Sequence, residues 1–174
     1  MDQVDIRSCI FKHINNVKDL FNLCIVDKQA IIIASTKFFW IEQFMKFGLP
    51  KPSITFNIYH EWKNEFLQCK NAMDRTNDIM NGFKDDKLRR CEIDQCISLH
   101  KYITILKQNF CYNFETYTGR DMTNIKMLTI FVVTRIRNSR YVLSSLTSWN
   151  EHHVVDINTD EQLKNILYDI YKEK

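Results

Sequence analysis

The sequence predicts an α+β fold, with helices over the first half and antiparallel strands in the last third. Three observations predict it. Apolar residues recur at helical spacing through residues 6–80, then alternate with period two from Phe110 onward. Gly48, Pro50 and Pro52 interrupt the helical part and place a boundary there. Thr159 and Gln162 form a capping box that opens one last helix.

Each element follows in order. Ile6, Ile10, Phe11, Ile14 and Val17 predict a first helix over residues 4–17. Asp19 is placed to cap a second, carrying Leu20, Leu23 and Cys24. A third starts at Lys28 or at Ser35 and runs to Phe47, with Phe39, Trp40, Phe44 and Phe47 on one side. Gly48 is its C-cap. This division gives a helical module over residues 1–49 and an α+β body over 50–174.

A long amphipathic helix over residues 58–80 presents Ile58, Trp62, Phe66, Cys69, Met73 and Met80, and Asn81-Gly82 ends it. Residues 93–106 fit either a helix or a strand. Residues 110–118 alternate toward a turn at 119–121. Residues 124–137 and 140–149 read as strands joined by an Asn138-Ser139 turn, and 152–157 as a further short strand. In the last helix Leu163, Ile166, Leu167 and Ile170 make one apolar face, with Asp160 and Glu161 first and Lys172 and Lys174 last.

Composition excludes several functions. The chain has 174 residues, 45% hydrophobic, with 3 glycines and 2 prolines. Gly48, Gly82 and Gly119 cannot write a phosphate-binding glycine loop. A net charge of +3, from 24 basic and 21 acidic residues, neither requires nor excludes nucleic acid. The apolar run at residues 30–35 is too short to span a bilayer, and no signal peptide is recognisable, so the cytoplasm or nucleus is expected. Isoleucine, asparagine, lysine and phenylalanine dominate, while only Ala30, Ala34 and Ala72 are alanine. That bias resembles coding from an AT-rich genome, such as that of a large DNA virus. The host cytoplasm or nucleus, or the virion, follows as the expected location.

The amino-terminal pattern resembles the F-box, a short helical motif that docks the Skp adaptor of cullin-type ubiquitin ligases. Ile6, the pair Ile10-Phe11 and Ile14 occupy the apolar positions of its opening. Asp19-Leu20 matches the Asp-Leu of its second helix, Val26-Asp27-Lys28 the Val-Ser/Cys-Lys, and Trp40 the closing tryptophan. The family's Leu-Pro is Ile6-Arg7 here, Cys9 replaces an acidic residue, and Ala30 stands where an aromatic is usual. The resemblance implies a Skp-type partner and a contact made by Ile6, Ile10, Phe11, Ile14, Leu20, Val26 and Ile31. The body would then recruit a target. Independently, Ile31, Ile32 and Ile33 are consecutive, as are Phe38, Phe39 and Trp40. Successive helical side chains point about 100° apart, so more than one face is apolar.

Two other readings stand beside the adaptor. In one, the apolar helices pack against other subunits of a virion. In the other, Arg135, Arg137 and Arg140, with Lys126, form a basic hairpin that grips phosphates or an acidic protein surface. Arg135 and Arg137 would share one strand face. Tyr112, Phe114 and Tyr117 could then stack bases. No catalytic motif is present and no enzyme activity or cofactor is expected. Cys91, Cys96 and His100 do not close a familiar zinc site, and His152-His153 face opposite sides of a strand. The six cysteines are expected to be free thiols without metal.

Overall fold

The computed structural model describes residues 9–11, 13–98, 126–137, 139–146 and 151–172. It is an α+β protein that divides into two compact units, Met1–Lys70 and Asn71–Lys174. Helix α4 (Tyr59–Lys84) contributes its first half to the first unit and its second half to the other.

The amino-terminal unit is helical. Residues 9–11 and 13 form a helical turn, followed by α1 (Val17–Val26), α2 (Lys28–Ala34) and α3 (Lys37–Lys46). The first helix therefore stops at His13 instead of running to Val17. Asn16, not Asp19, caps α1, because its side chain accepts from the Lys18 N–H (2.9 Å). Asp19 sits inside the first turn, where its charge suits the dipole. The expected third helix is two helices. Ser35 Oγ donates to the Ile31 carbonyl (2.8 Å) and Thr36 Oγ1 to the Ile33 carbonyl (2.7 Å), which closes α2. Thr36 then caps α3.

Helix α3 ends in a full Schellman motif. The Leu49 N–H donates to the Phe44 carbonyl (2.8 Å) and the Gly48 N–H to the Met45 carbonyl (3.1 Å). Gly48 sits at φ +63° with nothing near the place a Cβ would occupy. Gly48→Ala is thus expected to cost about 1–2 kcal/mol from backbone strain alone, read as a shift in chemical denaturation.

The core of this unit is aromatic. Trp40 stacks on Trp62 (6.3 Å, 10°) and lies 5.5 Å from the Phe66 ring, which meets Phe44 and Phe47 edge-on at 5.4 Å each. The Trp40 indole N–H donates to the Ala34 carbonyl (2.5 Å), tying α3 to the end of α2. Phe39 meets Phe11 at 4.8 Å. Lys46 Nζ donates to the Ile14 carbonyl (2.5 Å), fastening the opening turn to α3. Burial in this interior pushes the Cys24 thiol and the Tyr59 hydroxyl above their ordinary pKa.

The second unit holds the sheet. Among the described residues it has four antiparallel strands in the order β1 (Arg90–Ser98), β2 (Lys126–Arg137), β3 (Arg140–Leu146) and β4 (Glu151–Ile157). Residues 93–98, left open by the sequence, are strand. The proposed strand at 110–118 and its turn lie outside the described residues. Helix α4 runs past Asn81-Gly82 to Lys84, and the left-handed Asp86 (φ 54°) follows. Gly82 serves a close approach instead: a Cβ there would lie 2.5 Å from the Leu88 side chain.

One sheet face carries Ile93, Phe131, Val133, Tyr141, Leu143 and Ile157. They pack with Ile79, Met80 and Phe83 of α4 and with Leu163, Ile166, Leu167 and Ile170 of α5 (Asp160–Lys172). The predicted cap of α5 is present: the Gln162 N–H donates to Thr159 Oγ1 (3.1 Å), and Gln162 Oε1 accepts from the Asn158 N–H (3.2 Å).

The Tyr141 hydroxyl donates to Asp160 Oδ1 (2.7 Å) at the start of α5. Burial first, and then this carboxylate, pushes its pKa up to about 12. The unfolded tyrosine gives up its proton near pH 10, so above that pH the unfolded state binds fewer protons than the folded one. Stability from this group is complete below about pH 10 and is lost as pH rises through about 12. Denaturation across that window should show a falling wild-type stability and a shallower fall in Tyr141→Phe. Equal slopes would remove the linkage.

Candidate protein-docking surface

Helix α2 packs the wrong way round for its composition. Ala30 and Ala34, one turn apart, are its buried residues, at 1% and 0% exposure. Ile31 and Ile32 are exposed, Ile32 at 61%, and Ile33 is half-buried. The small residues let α2 lie close to the aromatic core, and the large ones are turned to solvent. Just before the Asp27 corner, Ile25 and Val26 of α1 are exposed at 73% and 80%. Leu20 and Cys24 already fill the inward side of that helix. Two successive helices thus complete the core with other residues and leave Ile25, Val26, Ile31 and Ile32 outside it. Single exposed apolar residues are ordinary, whereas here four β-branched ones lie on either side of one corner, which makes this the candidate surface.

The residues named by the F-box resemblance separate into two sets. Ile10, Val26 and Ile31 are exposed and Ile14 is half-buried. Phe11 and Leu20, at 2% and 1%, are buried. Phe11 meets Phe39 edge-on and Leu20 lies on the inner stripe of α1, so both hold the unit together and offer no contact surface. Ile6 lies outside the described residues. Ile32 belongs to the consecutive Ile31–Ile33 run read from the sequence, whereas Ile25 was not singled out there. The spacing of Ala30 and Ala34 marks the inner side of α2.

The basic hairpin is also partly reassigned. The Arg135 guanidinium donates to the Phe83 carbonyl in the last turn of α4 and to Asp86 Oδ1 (2.6 Å). There it meets carbonyls that carry the negative end of the helix dipole. Its task is to fix α4 on the sheet. A register irregularity between Arg135 and Arg137 breaks the alternation, so the two do not share a face as the simple period predicts. Arg137 and Arg140 remain exposed and face each other in register across the turn.

Of the Cys91, Cys96 and His100 spacing, Cys96 lies on strand β1 and not on a helix, and His100 lies outside the described residues. Burial pushes the Cys91 thiol above its ordinary pKa, which disfavours the thiolate a metal needs. Among the described residues no three His, Cys, Asp or Glu side chains come together as a metal site. No described helix is long and apolar enough to cross a membrane. Comparison of the chain with protein-family models, curated proteins and solved structures finds no match.

Proposed function

We propose that the chain is a non-enzymatic adaptor. Its amino-terminal unit docks a Skp-type subunit of a cullin ubiquitin ligase through Ile10, Val26 and Ile31, joined by Ile25 and Ile32. The carboxy-terminal α+β unit recruits the protein to be ubiquitinated. The inverted packing of α2 carries this reading, because it leaves isoleucine outside where alanine is inside. The F-box resemblance supplies the partner.

Magnitudes are adequate. Full burial of one such side chain contributes about 1.5–3 kcal/mol. Several together reach the roughly 8 kcal/mol of a micromolar complex once polar contacts at the rim offset the cost of association. Titration of a purified Skp-type adaptor into the full chain should therefore give a dissociation constant at or below about 10 µM. Absence of binding at high micromolar concentration, with the protein folded, removes the ligase assignment. The surface would then belong to a structural subunit contact.

A further inference from the structure

We propose that the β2–β3 hairpin is a docking site for an acidic segment of a partner protein, gripped by Arg137 and Arg140. The two residues are direct cross-strand partners at the end of the hairpin, where Ser139 adopts φ 57°. Like charges directly opposite one another destabilise a strand pair. Neighbouring cations have found counter-charges: Lys87 pairs with Asp85, Arg90 with Glu92 and Arg135 with Asp86. Among the described residues Arg137 and Arg140 form no such ion pair. The nearby Arg89 is also exposed, its carbonyl accepts from the Arg135 N–H (2.9 Å), and among the described residues its guanidinium forms no ion pair either.

Three exposed guanidinium groups at one end of the sheet fit carboxylates in forked hydrogen bonds. Ile136 stands exposed among them at the strand irregularity. That aliphatic side chain favours a peptide with apolar residues between its acids. Nucleic acid is the weaker fit. The described aromatics of this hairpin, Phe131 and Tyr141, are both buried in the core, so no described ring there can stack a base. The proposal does not depend on what the amino-terminal unit binds.

The test uses the full chain and two labelled probes of equal charge, a short peptide of alternating glutamate and leucine and an oligothymidylate. Fluorescence anisotropy should show the peptide binding more tightly, with affinity falling as salt rises. Arg140→Glu replaces the like-charge pair by an opposite-charge pair. It should leave the Tm unchanged or higher while weakening the peptide at least tenfold. Arg137→Gln should weaken it less. Absence of peptide binding, equal binding by Arg140→Glu, or tighter oligonucleotide binding that the same substitution abolishes would each overturn the proposal.

Discussion

Replacing Trp40 with alanine is expected to unfold the amino-terminal unit. The side chain is fully buried and touches most of what that unit uses as a core. It stacks on Trp62 and meets Phe39, Tyr59 and Phe66, which brings α3 and the first half of α4 together. Its indole N–H also satisfies the Ala34 carbonyl at the end of α2, where no intrahelical donor is available. Truncation leaves a cavity and an unpaired buried acceptor. Buried tryptophan-to-alanine changes cost about 3–5 kcal/mol, and orphaning the carbonyl adds about 1–3 kcal/mol. A small unit has only about 5–15 kcal/mol in total, and a unit of this size lies near the bottom of that range. Trp40→Phe keeps most of the apolar volume and should cost less than half as much. Urea denaturation followed by circular dichroism separates the variants. A Trp40→Ala protein within about 1 kcal/mol of wild type would mean that the aromatic cluster does not hold this unit.

The parts of the fold legible in the sequence are those set by local chemistry. Phe39, Trp40 and Phe44 gave α3 its inner face because three bulky rings at helical spacing can hardly be accommodated otherwise. Gly48 announced a left-handed cap, and Thr159 with Gln162 announced the start of α5. The turn signal between the β-branched runs announced the hairpin in which Arg137 pairs with Arg140. What was hidden depends on distant residues. Ile93, Cys96 and Ile97 fit a helical spacing as well as a strand, and pairing with β2, more than thirty positions on, decides for the strand. Arg135 looked like one of three equivalent arginines until Phe83 and Asp86, about fifty residues earlier, claimed it. The break between α2 and α3 lay in two hydroxyl-to-carbonyl bonds at Ser35 and Thr36, which periodicity ignores. The candidate surface was half legible. Hydrophobicity marked the isoleucines of α2 and Leu20 alike, and hydrophobicity alone does not distinguish a core residue from a contact residue. The small residues at Ala30 and Ala34 do, since a helix that lies close to a core needs them on the inside.

Val26→Asp and Leu20→Asp should therefore fail in opposite ways, although the F-box resemblance puts both residues at the partner contact. Val26 is 80% exposed at the end of α1, so an aspartate there remains solvated and the unit keeps its stability within about 0.5 kcal/mol. Against an apolar partner the same carboxylate must be stripped of water without a counter-charge, which costs several kcal/mol. Binding of the Skp-type adaptor should fall by two orders of magnitude or more, on the order of 3 kcal/mol. Ile32→Asp, at 61% exposure on α2, should behave as Val26→Asp does. Leu20 is 1% exposed on the inner stripe of α1. An aspartate there buries an unpaired charge in an aromatic core, and the expected result is a unit that no longer folds, with binding lost as a consequence. Measuring both thermal unfolding and adaptor affinity on all three variants distinguishes a surface from a scaffold. A folded Leu20→Asp protein that binds normally would contradict the core described above. A Val26→Asp, Ile32→Asp double variant that binds as tightly as wild type would show that the adaptor, if it binds, uses another face.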